Sequence, residues 1–339
     1  GFGPSYNRAV IEQAEISVRL ADIDFRGVVL DVVRNVERAY YNLGYAREQL
    51  IVRRFSLAVA EQLLEENRAK RDVGSATDLD VLQGEVGVAN ARRNVLLSEQ
   101  DVNDASDDLL QLIGQFELDQ AIGDVRIGEI QPPEVSFDHS YKLARDNRPD
   151  YAAQLAVIEQ LRIDERLAKR DRLPNVAVNG AVGYNAREGT YKAAASELWE
   201  GDGYTWQVGL SVSVPWRARA DRARYQQALN NVAREESRLQ SIDQSILVQV
   251  RTAVRAVETN AEGVRISRLA TQLSERQFEL EKARFDAGLA TFRRVQEAQA
   301  DLDSARVAEL QARVSLRIAL AELARLEGSS LERYQIDLL

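Results

Sequence analysis

The chain has 339 residues, a formal net charge of −9, and charged residues of both signs making up 29% of its length. It has no cysteine, which excludes disulfides, thiol catalysis and cysteine metal sites together. No cluster of Lys and Arg is free of interleaved Asp and Glu, so nucleic acid is not an expected partner.

Ala, Arg, Glu, Gln, Leu and Val dominate the composition, a mixture suited to long helices with charges of both signs on the polar face. The first such helix is predicted from about Asn7 to Asp72. Phe25, Val29, Val33, Val36, Tyr40, Leu43, Ala46 and Leu50 recur in steps of three and four and define one stripe. At 1.5 Å per residue it would be roughly 100 Å long, which points to a coiled-coil arrangement. Gly74 closes it, because glycine adopts the left-handed conformation a helix end needs. A return helix is predicted over 79–113, ending at Gly114.

Residues 115–148 are mixed, and Pro132-Pro133 breaks any helix there. A shorter helix is predicted from Pro149, a favoured first helical position, to about Arg172, before Leu173-Pro174.

Two strands follow, over 175–186 and 203–215. In the second, Tyr204, Trp206, Val208, Leu210, Val212 and Val214 alternate with Thr205, Gln207, Gly209, Ser211 and Ser213. In the first, Val176, Val178, Gly180, Val182 and Tyr184 alternate with Ala177, Asn179, Ala181, Gly183 and Asn185. Length and alternation fit transmembrane β-strands, with Tyr184, Tyr204, Trp206 and Trp216 near the strand ends where an aromatic girdle sits. Residues 187–202 would form the exposed loop. A soluble hairpin packed on a helix would show the same alternation. Two strands alone cannot span a bilayer, since their edges would leave unpaired amides in lipid. No run of about 18 apolar residues exists, so no helix is expected to cross a membrane.

Helices over about 221–286 and 293–327 then repeat the opening pattern, with Val250, Val254, Val257 and Val264 on the stripe and Gly288 and Gly328 at the ends. Displaced by 214 positions, the chain falls on itself without a gap. Glu61 meets Glu275, Glu65 meets Glu279, Ala69 meets Ala283, Val81 meets Val295 and Ala91-Arg92 meets Ala305-Arg306. A period this long marks a duplicated domain rather than a solenoid.

Catalytic chemistry is not expected. Glu65-Glu66, Glu235-Glu236 and Asp107-Asp108 are neighbours on helices, point different ways and are read as solvated faces. His139 is a lone histidine in a polar stretch, and there is no phosphate-binding glycine loop or metal-ligand spacing. Neither cofactor nor metal is expected.

Duplicated helical hairpins separated by a β-hairpin resemble the TolC-like outer-membrane factor family over essentially the whole chain. The most specific stretches are Lys282-Ala-Arg-Phe-Asp-Ala-Gly-Leu-Ala-Thr291 with Ala298-Gln-Ala-Asp-Leu-Asp-Ser-Ala-Arg306, and Asn147-Arg-Pro-Asp150 followed by Leu173-Pro174. Glu66-Asn-Arg-Ala-Lys-Arg-Asp-Val-Gly74 with Asp80-Val-Leu-Gln83 fits equally well. The order, spacing and duplication of these motifs carry the match.

The resemblance implies a mainly α fold: long antiparallel helical hairpins in two structural repeats forming a trimeric α-barrel, and a β-hairpin contributing to a trimeric transmembrane β-barrel. In that scheme 1–114 and 217–328 are the hairpins, 149–173 a short α-barrel helix, 174–216 the transmembrane β-hairpin, and 115–148 with 329–339 an equatorial belt. The repeat sets Trp216-Arg217 against Phe2-Gly3, so the first repeat's short helix and two strands are expected upstream of Gly1. The implied function is a passive outer-membrane duct with a large periplasmic part. Its implied partners are two further copies, a periplasmic adaptor protein, an inner-membrane transporter and outer-membrane lipid. A coiled-coil scaffold would explain the helices but not the strands or the duplication. An adaptor would carry one hairpin rather than two.

The family's hairpin tips meet the adaptor, which implies that role for Gly74, Ala76, Thr77, Gly288, Ala290 and Thr291. Helix closure and capping would select the same residue types. The family also narrows the duct just beyond these glycines. Asp80 fits that pattern, Arg294 departs from it, and Glu297 restores a carboxylate. A pairing of Asp80 with Arg294 between neighbouring hairpins would hold the entrance shut.

Overall fold

A computed structural model describes residues 6, 8–114, 122–125, 127–128, 134–184, 204–214 and 219–338. The elements are α1 (Ala9–Asp72), α2 (Asp78–Ile113), α3 (Phe137–Asn147), α4 (Pro149–Arg170), β1 (Asn175–Tyr184), β2 (Tyr204–Ser213), α5 (Arg219–Asp286), α6 (Phe292–Glu327) and α7 (Ser330–Arg333). Three helix boundaries recur 214 positions later: 72 at 286, 78 at 292 and 113 at 327. Trp216, the segment 187–202 and Pro132-Pro133 lie outside the described residues. Among the described residues no helix is long and apolar enough to cross a membrane. The chain divides into two compact units.

One unit takes residues 25–149 and 243–339 and contains both hairpin turns and both return helices. Leu64, Val81 and Val88 pack α1 on α2, while Leu63, Phe285, Phe292 and Val295 join α1 to α5 and α6. Gly84 permits the close pass of α2 over α1: a Cβ there would stand 2.9 Å from Leu64 Cδ1. Further along, Ile127 packs with Leu310 and Val314 beneath Tyr41 and Tyr45. This segment crosses α1 at Gly44, where a Cβ would meet Ile127 Cγ1 at 2.8 Å. Arg47 fastens it by donating to the carbonyls of Gly123 (2.7 Å) and Ile122 (2.9 Å). After α7, the Tyr334 hydroxyl donates to the buried Glu37 carboxylate. Burial and that bond hold the Tyr334 phenol well above its ordinary pKa.

Three features differ from the sequence reading. The stretch read as mixed contains helix α3, whose Tyr141 donates to Asp243 at 2.9 Å. The first-helix stripe is only partly inside: Leu43 and Ala46 are buried, but Phe25 is 58% exposed, whereas Leu30, off that stripe, is buried. The α1 surface is covered by different elements along its length, so no single stripe serves all of it. Glu235 is not a solvated face, and Glu66 is one only in part, its side chain 31% exposed. Glu66 Oε2 is buried without a hydrogen-bond partner. Glu235 is buried and accepts from Gln154 Nε2 at 3.1 Å; that bond and the adjacent Arg234 hold its carboxyl below the ordinary range.

The other unit takes residues 1–24 and 150–242. Its small core is Ala9, Ile16, Ala156 and Ile163, flanked by Leu20 and Leu167. Polar contacts supplement it: Gln13 donates to Asp164 (2.6 Å), Arg166 to Glu12 (2.8 Å) and Arg162 to Glu236 (2.9 Å), and Arg19 pairs with Glu159. Exposed pairs of this kind contribute about 0–1 kcal/mol each, so the apolar contacts dominate. The unit also holds the antiparallel β1–β2 ribbon.

Candidate functional site

Both hairpins turn by the same device. At the first tip the Gly74 amide donates to Arg71 O (2.9 Å) and the Ser75 amide to Lys70 O (2.7 Å). At the second, Gly288 donates to Phe285 O (3.0 Å) and Leu289 to Arg284 O (2.7 Å). These paired bonds form a Schellman motif, which needs a left-handed residue after the helix. Gly74 has φ +77° and Gly288 φ +72°, and a Cβ at either would meet nothing within 4 Å. Backbone conformation, not crowding within the chain, requires glycine here. Thr77 and Thr291 are exposed, while Ala76 and Ala290 are half-buried.

The tips differ at the helix that follows. Thr77 caps α2 in a reciprocal box: its hydroxyl accepts from the Asp80 amide (3.3 Å), and the Asp80 carboxylate accepts from the Thr77 amide (2.9 Å). Thr291 makes no side-chain cap bond, and the reciprocal half of a capping box is closed to it because the side chain of its third residue on, Arg294, has no acceptor. Arg294 instead reaches Glu297 (3.5 Å), which also pairs with Arg293 (3.0 Å). Within this chain the structure therefore joins Arg294 to Glu297 and Asp80 to Thr77, and does not bring Asp80 and Arg294 together.

The sequence reading missed the residues that join the two tips. Lys70 Nζ lies 3.4 Å from the centroid of the Phe285 ring and 3.7 Å from Asp286 Oδ1. Farther from the tip, Gln296 and Gln299 donate to the carbonyls of Gln83 (3.3 Å) and Ser56 (3.1 Å). The available signal was a break in the repeat: Phe285 aligns with Arg71, and Gln296 with Leu82.

The β-ribbon has two chemically opposite faces. Its register sets Val176 against Val212, Val178 against Leu210, Gly180 against Val208, Val182 against Trp206 and Tyr184 against Tyr204. Partners in an antiparallel ladder share a face, so one face is wholly apolar or aromatic apart from Gly180. The other pairs Ala177 with Ser211, Asn179 with Gly209, Ala181 with Gln207 and Gly183 with Thr205. Val178, Val182, Trp206, Val208, Leu210, Val212 and Val214 are all more than half exposed, and Val176 nearly so. Nothing is described of the Tyr184 and Tyr204 side chains.

Long helical hairpins in two repeats with an amphipathic two-stranded ribbon between them define a mainly helical class of protein. The outer membrane efflux protein family model matches residues 5–115 and 140–329, and the chain belongs to that family. It is 26% identical over 333 residues to the pyoverdine export outer membrane protein OpmQ of Pseudomonas aeruginosa, covering 92% of this chain and 66% of the relative. The chain thus spans slightly less than two thirds of OpmQ. Against outer membrane protein TolC of Vibrio cholerae it is 22% identical over 325 residues, covering 93% and 73%. The fold is that of the open-state Neisseria gonorrhoeae MtrE outer membrane channel, with TM-score 0.79, 19% identity, and coverage of 96% of this chain and 72% of that one.

Proposed function

We propose that this chain is part of one protomer of a trimeric outer-membrane duct, a passive conduit for efflux or secretion. The bare apolar face of the β-ribbon carries the reading. Exposing such a face to water is unfavourable in proportion to its area, and lipid would cover it. Two strands leave edge amides that lipid cannot satisfy. The ribbon therefore calls for further strands, from segments outside this sequence and from two other copies. Val176, Val178, Val182, Tyr184, Tyr204, Trp206, Val208, Leu210, Val212 and Val214 would face the membrane.

The hairpins would build the periplasmic α-barrel, and the segments docked at Gly44 and Glu37 its equatorial belt. The tips at Gly74, Ala76, Thr77 and Gly288, Ala290, Thr291 would meet a periplasmic adaptor linked to an inner-membrane transporter, which would supply the energy. Asp80, Arg294 and Glu297 stand in the first turns beyond the tips and would narrow the duct there. The test is the protein mass of the full-length parent by light scattering after size exclusion. A trimer that precipitates without detergent is expected. A monomer or dimer that needs no detergent would overturn the assignment.

A further inference from the structure

The chain is acidic overall, with a net charge of −9, yet the segments that lead into and out of the β-ribbon are basic. Lys169 and Arg170 end α4 and Arg172 follows them, just before β1. Arg219, Arg222 and Arg224 open α5, just after β2. Asp171 and Asp221 are the only acidic residues in 169–172 and 219–224. All of these residues belong to the unit of residues 1–24 and 150–242. The Arg172 guanidinium stands 5.1 Å from the centroid of the Tyr225 ring, which sets the end of α4 beside the opening turns of α5. The cations form one collar at the foot of the ribbon.

Both acids within the collar are engaged. Asp171 accepts from the Tyr6 hydroxyl at 3.1 Å, and Asp221 lies 3.5 Å from Arg224. Lys169, Arg172, Arg219 and Arg222 are exposed, and among the described residues none of the four forms an ion pair. Farther from the ribbon the same unit pairs its arginines: Arg166 with Glu12 (2.8 Å), Arg162 with Glu236 (2.9 Å) and Arg19 with Glu159.

The position of the free cations calls for an anion. A helix N-terminus carries partial positive charge, so Arg219 and Arg222 oppose the dipole of α5, and an anion brought among them is held by both. The two lie three apart and share a helix face. A guanidinium holds a phosphate through two parallel hydrogen bonds. The collar also borders apolar surface. Arg172 lies four residues before Val176, and Arg219 five after Val214. Five residues span at most about 18 Å. Val176, Val212 and Val214 are 46%, 59% and 60% exposed. An apolar band followed by a band of unpaired cations matches the order in which an acidic bilayer presents its hydrocarbon and its phosphates.

We propose that this collar binds the phosphates of anionic phospholipid headgroups and so fixes the height of the ribbon in the membrane. The proposal rests on the membrane-facing reading of the ribbon and adds to it a choice of lipid. Free phosphate offers the same anion but no acyl chain, so it would gain nothing from the neighbouring valines.

The test uses the full-length parent in nonionic detergent, titrated with phosphatidylglycerol or phosphatidylcholine. Lipid retained through gel filtration is counted by mass spectrometry. Phosphatidylglycerol should be retained severalfold better, and high salt should erase the preference. Arg172→Gln/Arg219→Gln/Arg222→Gln should lose it. Arg19→Gln/Arg162→Gln/Arg166→Gln removes as many charges below the collar and should keep it. Arg172→Lys/Arg219→Lys/Arg222→Lys keeps the charge and should retain most of it. If the glutamine collar variant does not assemble, the lysine variant and the salt dependence of wild type decide. Equal retention of the two lipids by wild type, or equal losses in the two glutamine variants, overturns the proposal. Release of the lipid by millimolar inorganic phosphate also overturns it, since the site would then serve the free anion. These failures leave the duct reading intact where the protein is a detergent-dependent trimer. A detergent-independent monomer that collects on vesicles of phosphatidylglycerol but not of phosphatidylcholine would remove the duct reading and support the collar.

Discussion

Thr77 and Asp80 hold each other at the start of α2: the Thr77 hydroxyl lies 2.7 Å from Asp80 Oδ2, which also accepts the Thr77 amide at 2.9 Å. Asp80 is therefore a helix cap, whatever its charge does besides. Losing the cap costs about 1 kcal/mol and loosens the first turn beyond the tip. Thr77→Ala and Asp80→Ala should raise single-channel conductance alike. Asp80→Asn keeps an acceptor for the cap while removing the charge, and should stay near wild type. Conductance that rises with Asp80→Asn but not with Thr77→Ala would mean that the charge itself narrows the duct.

Gly114 and Gly328 end the two return helices with nearly the same backbone, φ +73° and +70°, yet they are not interchangeable. A Cβ on Gly114 would meet nothing within 4 Å. On Gly328 it would lie 2.8 Å from Asn147 Cβ and 3.0 Å from the Asn147 carbonyl oxygen. Gly114→Ala carries only the left-handed penalty, about 1–2 kcal/mol. Gly328→Ala must also displace backbone, adding about 1–3 kcal/mol. Urea midpoints should fall in both variants and clearly further in the second. Equal midpoints would show that Asn147 gives way freely.

The frame was legible in the sequence because glycines and periodicity are local signals. Gly74, Gly114, Gly288 and Gly328 end helices for a reason confined to their own φ, and the valine alternation of the ribbon is written residue by residue. The rest depends on contacts between distant segments. Phe25 has the spacing of a core residue but finds no cover, while Leu30 does. Helix α3 starts at Phe137, beyond the proline pair that reads as breaking any helix in that stretch. At the tips the sequence pointed to the glycine turns, but neither to Asp80 as the partner of the Thr77 cap nor to Lys70 over Phe285. That contact joins positions 215 apart, and its only trace was a mismatch between the repeats.

Burial pushes the Asp303 carboxyl above the usual range, against the pull of the Ser56 hydroxyl, Arg53 and Arg306 beside it. The folded protein then holds this proton more tightly than the unfolded chain does. Its contribution to stability is fully present below the ordinary Asp value near 4. It falls as pH rises to the raised value and stays lost above it. Asp303→Asn removes the charge and keeps the shape. The variant should melt higher than wild type at pH 7 and match it near pH 3. A lower melting temperature at pH 7 would show that the ionised carboxylate is needed by Arg53 or Arg306.

The ribbon offers the sharpest contrast between neighbouring positions. Val178 and Leu210 face each other on the apolar side, whereas Gln207 pairs with Ala181 on the other. A lysine facing lipid at mid-membrane costs about 2–4 kcal/mol, while lumen-facing changes alter selectivity rather than stability. In the full-length parent, Val178→Lys and Leu210→Lys should reduce the urea-resistant oligomer in outer-membrane pellets severalfold. Gln207→Lys should leave that yield intact. If the ribbon lay in water instead, lysine on its bare face would replace exposed apolar surface with a solvated charge. Yield would then hold or improve, and the three variants would behave alike. The face-dependence of assembly, rather than the loss at any one position, decides whether these strands meet lipid.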